Sequence, residues 1–267
     1  MSDAFIATSI ARRLIVRMHA AHDRRRIAVF AGPPGIGKTT AVDALNRELP
    51  NGVVVVKVAR RNAREVLVLQ HVLDAIRRLA GSPSVHFPSS LWELRGDIFN
   101  SICSWAGAEP AAARRAEYSA SDFPKLTIVF DEAQNLSREA IEALRYWNDT
   151  DRCYAPFPLG LVFVGNNEFS LQTDLDGRSV ISAAVADRAL YVQTFDYSDV
   201  TDDDIRLYLE AKGIVDDIAL NTLIRHLNER HASRSFRRTQ DLVEELIEAA
   251  CGKPVNVELV RDMLALV

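Results

Sequence analysis

The stretch IAVFAGPPGIGKTTAVDAL, residues 27–45, constrains the fold more strongly than any other part of the chain. Five apolar residues run into a loop of glycines and prolines that matches G-x-x-x-x-G-K-[ST] without a gap, and a helical pattern follows. Glycines let the backbone of such a loop turn its N–H groups towards phosphate oxygens, and the next helix directs its positive end to the same place. The sequence therefore predicts a strand, a phosphate-binding loop and a helix in succession.

The predicted loop also has the side chains needed to hold a nucleoside triphosphate and its metal. Lys38 can reach the β- and γ-phosphates, and the hydroxyl of Thr39 can ligate Mg²⁺. The alternative is a Gly-Pro turn with an accidental lysine, which the flanking strand and helix patterns argue against. We expect nine residues to contact the nucleotide: Gly32, Pro33, Pro34, Gly35, Ile36, Gly37, Lys38, Thr39 and Thr40.

A second motif, LTIVFDEA at residues 126–133, is an apolar run that ends in two acids. Asp131 would hold Mg²⁺, usually through water, and Glu132 would be the general base that polarises the attacking water. A glutamate beside the aspartate favours nucleotide hydrolysis over small-molecule kinase chemistry, and a GTPase is less well matched because the sequence has no N-K-x-D motif. The alternative is a pair of solvent-facing acids at the end of a strand.

Short β-branched runs alternate with helical patterns through the first 196 residues. Apolar runs of this length suit strands that are covered on both faces, as in a parallel sheet, so the pattern predicts an α/β sandwich. Helical patterns at 64–79 and 138–147 separate some of the strands, and the stretch 107–125 is the clearest loop. The five predicted strands are 27–31, 53–58, 126–131, 159–165 and 189–195.

The strand patterns stop after Phe195, and only helical patterns follow. Thr201 and Asp204 have capping-box spacing at the start of a helix that Gly213 can close. Further helical patterns lie at 217–228, 237–250 and 257–266. We therefore expect a nucleotide-binding core with an N-terminal helix over 1–196 and a helical lid over 197–267.

The formal net charge of −4 argues against indiscriminate binding to nucleic acid. Charge is unevenly placed, however, because residues 196–217 are acidic and residues 225–238 are basic. Three cysteines without a C-x-x-C pair suggest neither a disulfide framework nor a zinc site. No apolar run approaches 18 residues and no signal-peptide pattern is present, so we expect a cytoplasmic protein without a membrane partner.

Four stretches, GPPGIGKTT, FDEAQNL, LVFVGN and SFRRTQDLVEEL, together resemble the AAA+ ATPases that assist DNA transposition. That group includes the phage Mu B protein and its relatives in insertion sequences and Tn7-like elements, and the resemblance covers about residues 5–250. It implies a P-loop NTPase fold of three layers, with a five-stranded parallel sheet and a C-terminal helical lid. It also implies ATP and Mg²⁺ as cofactors, with hydrolysis to ADP and phosphate.

The resemblance assigns further roles to single residues. It places a polar sensor of the γ-phosphate at Asn166, with Asn167 as the competing residue. It places an arginine that reaches the neighbouring subunit's ATP at Arg188, with Arg178 as the second choice. The lid sensor is expected at Arg237, which is flanked by Arg234 and Arg238. Arginines at a helix N-terminus oppose the helix dipole unless an anion lies near, which favours a phosphate-binding role.

The function implied by the resemblance is ATP-dependent assembly on double-stranded DNA, as a ring or a helical filament, and direction of a transposase to that DNA. The segment after the second strand would face the DNA backbone through Lys57, Arg60, Arg61 and Arg64. The alternative for this segment is a solvated loop and helix start. The alternative for the whole chain is an ATPase switch that acts on protein partners, as in secretion or defence signalling, without DNA.

Two features depart from the family pattern. The chain before Gly32 is too short for the N-terminal helix-turn-helix domain that such proteins can carry, so we expect DNA contacts to come from the ATPase core. The segment 146–160, between the second motif and the fourth strand, is longer than expected and has no assigned role.

Overall fold

The computed structural model describes residues 5–59, 63–82, 87–149, 154–167, 169, 181–229 and 234–265. Its centre is a five-stranded sheet with the strand order β2-β3-β4-β1-β5. Every neighbouring pair runs parallel, which confirms the predicted α/β class. The strands are β1 Ile27–Ala31, β2 Val53–Lys57, β3 Thr127–Asp131, β4 Gly160–Gly165 and β5 Ala189–Thr194.

The burial of each strand follows from its place in the sheet. The three inner strands, β1, β3 and β4, are buried at every residue, as expected for apolar runs covered on both faces. The edge strand β5 is buried at none of its six residues. In register, Asp131 lies opposite Lys57 on one side and Val164 on the other, and Ala31 lies opposite Gly165. The ends of β1, β2, β3 and β4 therefore meet at one edge of the sheet, where the phosphate loop and the acidic pair begin.

Helices fill most of the described chain between and after the strands, and none of those described is both long and apolar enough to span a bilayer. They are α1 Ser9–Asp23, α2 Lys38–Glu48, α3 Glu65–Leu79, α4 Leu91–Ala106, α5 Pro110–Arg114, α6 Arg138–Arg145, α7 Ala183–Arg188, α8 Asp202–Ala211, α9 Asp217–Glu229, α10 Phe236–Ala249 and α11 Val257–Ala265.

The stretch 107–125, predicted to be a loop, contains the short helix α5, so that prediction is wrong in part. Pro110 occupies the first turn, where its missing N–H removes no helix hydrogen bond. The Glu109 side chain caps the helix by accepting hydrogen bonds from the backbone N–H groups of Ala111 and Ala112. The alanine-rich part of this stretch thus forms a short capped helix and not a loop.

The chain divides into two compact units, which we name the sheet unit (residues 15–31 and 42–194) and the lid unit (residues 1–14, 32–41 and 195–267). The sheet unit has one apolar core, formed by strand side chains and by α3, α4 and α6. Within that core the rings of Phe130 and Phe163, from adjacent strands, stack with centroids 5.2 Å apart. Trp147, from the segment 146–160, is 1% exposed in the same core, so part of this unassigned segment has a packing role.

The lid unit is organised around the N-terminus of α8. The predicted capping box is confirmed: Thr201 Oγ1 accepts from the N–H of Asp204 at 3.1 Å, and Asp204 Oδ2 accepts from the N–H of Thr201 at 3.0 Å. Asp204 also accepts from the N–H of Ser9 at 2.6 Å and from the Ser9 hydroxyl. Burial alone would raise the pKa of Asp204, but these hydrogen bonds from Ser9 and Thr201 outweigh it and lower the pKa.

We expect Asp204→Asn to lower the free energy of unfolding by about 1–3 kcal/mol at pH 7, because an NH₂ group replaces one of the two carboxylate oxygens that accept hydrogen bonds from Ser9 and Thr201. Since the folded-state pKa is lowered, this stabilisation is present above the unfolded pKa of about 3.9 and is lost as the pH falls through the lower folded value. Urea denaturation at pH 7 and pH 3 should show a difference from the parent that shrinks at the acidic pH.

Asp203→Asn is the matched control, because Asp203 lies in the same first turn of α8 but is exposed. The two variants lose the same charge near the same helix end. Equal destabilisation by both would show that the helix dipole, and not the hydrogen bonds to Asp204, accounts for the effect.

Candidate functional site

The phosphate loop begins directly after β1 and belongs to the lid unit. Gly35 (φ 80°) and Gly37 (φ 92°) adopt left-handed conformations that other residues rarely take. This backbone conformation explains why the motif has glycine at its second glycine position, Gly37. Lys38 begins α2, and its ammonium donates to the carbonyl oxygens of Gly32 at 2.7 Å and Pro33 at 2.8 Å. The lysine charge is therefore placed against the loop itself.

The start of α10 is hydrogen-bonded to the same loop within the lid unit. The N–H of Phe236 donates to Gly35 O at 2.8 Å, and the Tyr197 hydroxyl donates to Pro34 O at 3.0 Å. A side chain on Gly35 would lie 3.3 Å from Cβ of Arg237 and would collide with the hydroxyl of Ser235. The first turn of α10 thus lies directly beside the loop predicted to bind phosphate.

The three arginines proposed for the lid sensor differ in their surroundings. Arg234 is tied into the lid unit, because its guanidinium donates to Asp202 at 2.9 Å and to Asn228 at 2.6 Å. Arg237 and Arg238 are exposed and lie in the first turn of α10, where a cation is unfavourable next to the helix dipole. Cβ of Arg237 lies 3.3 Å from the position that a Cβ on Gly35 would take, and the assignment of the lid sensor to Arg237 stays a prediction.

The two acids lie at the carboxyl end of β3 in the sheet unit. Asp131 is 4% exposed, and its Oδ1 accepts from the N–H of Glu132 at 3.0 Å. Glu132 has a left-handed backbone (φ 58°, ψ 40°), which is uncommon for a residue other than glycine and costs on the order of 1–3 kcal/mol. A hydrogen bond of 2.9 Å from the N–H of Asn135 to Glu132 O closes the turn that holds this conformation.

The proposed sensor follows β4 immediately. The N–H of Asn166 donates to Gln134 Oε1 at 3.1 Å, while Gln134 Nε2 donates to Glu132 Oε2. Asn166 Oδ1 is buried and has no hydrogen-bond partner within the described part of the chain. A buried acceptor of this kind carries a desolvation cost unless something bonds to it, as a water or ligand would. The acidic pair and Asn166 are thus joined through a residue that the sequence analysis did not single out.

Arg188 is the last residue of α7 and directly precedes β5. Its guanidinium donates to Asp149 at 2.7 Å, and the side chain of Asp149 is 12% exposed. Its carbonyl oxygen accepts from Arg26 at 3.0 Å. The guanidinium is therefore held by a carboxylate of its own chain. Arg178, the second choice for this role, lies outside the described residues.

The basic segment after β2 is described only at its ends, because Arg60 and Arg61 lie outside the described residues. Lys57 and Arg64 are both exposed. Between them the backbone is fastened to the turn that carries Glu132, since the Asn135 side chain donates to Val58 O at 2.6 Å and Asn135 O accepts from the N–H of Ala63 at 2.9 Å. Val58 and Ala63, near the two ends of the basic segment, are thus both hydrogen-bonded to Asn135, three residues after the proposed catalytic base.

Sequence reasoning missed Gln134 and Asn135. Both follow the acids in the motif FDEAQNL, so the signal available was two consecutive amides one residue after the acids. Amide side chains can donate and accept at once, which suits a turn that must link neighbouring strands. Apart from Glu132, however, their side-chain partners are Asn166 and Val58, which follow other strands and were not visible in the local sequence.

A phosphate loop after β1 of a parallel sheet, with two acids at the carboxyl end of β3 in the same sheet, defines a P-loop nucleotide hydrolase. Residues 21–172, more than half of the 267-residue chain, match the AAA domain family. The chain belongs to that family and is an ATPase. No curated protein matches the chain in sequence.

Two solved structures of low sequence identity share the fold, and a third aligns less well. The Thermotoga maritima RuvB Holliday junction branch migration motor aligns with a TM-score of 0.51 and 15% identity over 98% of this chain and 70% of that chain. Drosophila ORC bound to DNA aligns with a TM-score of 0.54 and 16% identity over 96% and 59%. Cdc6p from Pyrobaculum aerophilum aligns at 0.46 with 18% identity over 76%, and the chain spans 48% of that protein.

We expect Gly35→Ala to destabilise the protein and weaken ATP binding, because a Cβ there combines a left-handed backbone with a collision against Ser235. Gly252→Ala is the matched control, since Gly252 has the same φ of 80° but open space around the added carbon. The control should lose about 1–2 kcal/mol of unfolding free energy and Gly35→Ala clearly more. Urea denaturation and a fluorescent-ATP titration measure both effects. Equal losses in stability with unchanged ATP affinity would contradict the placement of the loop against α10.

Proposed function

We propose that this ATPase binds double-stranded DNA in its ATP-bound state, oligomerises there and directs or activates a transposase. The observation that carries the DNA part is the attachment of the basic segment, through Val58 and Ala63, to the turn that carries Glu132. A phosphate backbone held by Lys57 and Arg64 would lie one hydrogen-bonded turn from the catalytic base. The fold neighbours whose names refer to DNA, ORC and the RuvB motor, are compatible with this proposal.

The ATP site in this proposal rests on the two nucleotide motifs of the sequence. Residues 32–40 hold the phosphates, and Lys38 neutralises their charge. Thr39 and Asp131 supply the hard oxygen donors that Mg²⁺ prefers, and the bound ion would neutralise charge that develops on the phosphates. Glu132 takes the proton of the attacking water, and Asn166 Oδ1 is a buried acceptor that could orient that water.

The family resemblance adds two arginines to the proposed ATP site. Arg237 would sense the γ-phosphate from the lid, a role supported by its place beside Gly35. Arg188 would act on the ATP of a neighbouring subunit, and for this its guanidinium must leave Asp149. Assembly of subunits is therefore part of the proposal, because an isolated subunit lacks the finger for its own ATP. The division into a core over 1–196 and a lid over 197–267 belongs to the same proposal.

We expect subunits with Arg188→Ala and subunits with Lys38→Ala to be nearly inactive alone and to recover ATP hydrolysis when mixed. The first variant still binds ATP, and the second donates the arginine, whose contribution in related phosphoryl transfers is roughly 10³-fold or more. Phosphate release across a range of mixing ratios measures the recovery. The control mixture pairs Arg188→Ala with a variant that carries both substitutions, and it should stay inactive. Equal rates in the two mixtures would show that Arg188 does not act in trans.

We expect the double variant Lys57→Ala/Arg64→Ala to bind duplex DNA with a weaker salt dependence than the parent. Each lost phosphate contact lowers the log–log salt slope by about 0.9, so the slope should fall by roughly two. Fluorescence anisotropy with a labelled duplex and ATP, between 50 and 200 mM salt, measures it. Sequence-independent binding is also expected, since neither residue is proposed to read bases.

The control for this measurement is Lys253→Ala/Arg261→Ala, which removes the same charge from two exposed residues of the lid unit. Its slope should match that of the parent. A double variant that binds as the parent does would exclude Lys57 and Arg64 as DNA contacts. If the parent itself shows no ATP-dependent DNA binding at low salt, the DNA proposal fails and the alternative, a switch acting on protein partners, is favoured.

A further inference from the structure

One side chain in the sheet unit touches both the proposed catalytic base and the residue after β4. Gln134 Nε2 donates to Glu132 Oε2, and Gln134 Oε1 accepts from the N–H of Asn166 at 3.1 Å. The two contacts use opposite ends of one amide group. Residues 133–135 form a single 3₁₀ turn that begins at Glu132, so the base and its partner lie on the same short piece of backbone.

The orientation of this amide follows from its two partners. A carboxylate oxygen only accepts hydrogen bonds, and a backbone N–H only donates. Rotating the Gln134 amide by half a turn would place its oxygen against the carboxylate and its NH₂ group against the N–H of Asn166. Only the observed orientation satisfies both neighbours, so the bridge is directional: N–H of Asn166 to Gln134, and Gln134 to Glu132.

The end of β4 is built to let the amide come close. A side chain on Gly165 would bring its Cβ to 3.1 Å from Gln134 Oε1 and to 2.8 Å from Cβ of Phe169. Contacts this short require the neighbours to move. Glycine at this position therefore lets Gln134 reach the backbone of Asn166 across the edge of the sheet.

We infer that Gln134 is a positioning residue for ATP hydrolysis, which fixes the carboxylate of Glu132 relative to Asn166. With its N–H bonded to Gln134, Asn166 keeps its buried Oδ1 for a ligand or water. The base and the sensor then face the attacking water as one hydrogen-bonded unit. This inference rests on the proposed function in one respect, namely that Glu132 is the general base.

Removing the bridge should slow turnover without weakening nucleotide binding, because misplacing a reacting group by about 1 Å costs up to roughly 100-fold in rate. We expect Gln134→Ala to lower kcat by roughly 10- to 100-fold with an ATP Kd within about two-fold of the parent. Gln134→Glu should be at least as slow, since it keeps the size and the oxygen that faces Asn166 but sets a carboxylate against a carboxylate. If the side chain served packing alone, the near-isosteric glutamate would restore the rate that alanine loses.

Gln70→Ala is the matched control, because Gln70 is a half-buried glutamine of the sheet unit that donates one hydrogen bond, to Pro88 O at 3.1 Å. It should lose stability as Gln134→Ala does and keep its kcat. Melting temperatures recorded alongside the steady-state rates and an ATP titration separate stability from turnover.

Glu132→Gln separates the failure of this inference from failure of the proposed function. If Glu132→Gln abolishes turnover while both Gln134 variants hydrolyse ATP as the parent does, the base stands and Gln134 is not a positioning residue. If Glu132→Gln hydrolyses ATP normally, the base lies elsewhere and the inference falls with it. In the Glu132→Gln background, Gln134→Ala should cause no further loss, and an independent loss there would also overturn the inference. A rise in kcat in Gln134→Ala would show that Gln134 restrains Glu132 and slows turnover, which would overturn the positioning role.

Discussion

The turn that follows β3 connects more parts of the proposed site than any other feature of the sheet unit. It starts at Asp131, places Glu132 in a left-handed conformation and continues through Gln134 and Asn135, whose amides bond to two different neighbours. Gln134 bonds to the residue after β4, and Asn135 bonds to the residue after β2. Three strand ends are therefore held in register by hydrogen bonds that lie beyond the sheet ladder itself.

This arrangement has a mechanical consequence. Glu132 is restrained at two points. Its carbonyl oxygen accepts a hydrogen bond from the N–H of Asn135, and its carboxylate accepts one from the side chain of Gln134. A displacement of the segment after β2 would act on Asn135, and a displacement of β4 would act on Gln134. In the proposed function, DNA bound to Lys57 and Arg64 would affect the position of Glu132 through Asn135. Nucleotide sensed by Asn166 would affect it through Gln134, so the two effects use separate hydrogen bonds. A single substitution, of Asn135 or of Gln134, would remove one of these connections and leave Glu132 in place.

The phosphate loop has a comparable dependence within the lid unit. Gly35 is bonded through its carbonyl oxygen to the first residue of α10, and the loop carbonyl of Pro34 is bonded by Tyr197. The loop therefore depends on the helices that follow β5, although it is adjacent to β1 in the chain. The same unit is anchored at α8 by the carboxylate of Asp204, which accepts from Ser9 and Thr201.

Local patterns in the sequence determined the elements of this protein. Five β-branched runs predicted the strands to within one residue, the Thr201–Asp204 spacing predicted a capping box, and the glycine and lysine spacing predicted the loop, because each depends on neighbours only a few residues away. The helix α5 was missed because its cap, the side chain of Glu109, was not distinguished from loop composition. Tertiary structure alone decided the strand order, the pairing of Arg188 with Asp149 and the bridge from Glu132 through Gln134 to Asn166. Apart from the local hydrogen bond between Gln134 and Glu132, these contacts join residues far apart in the chain, and they exist only after the parallel sheet has brought its strand ends together.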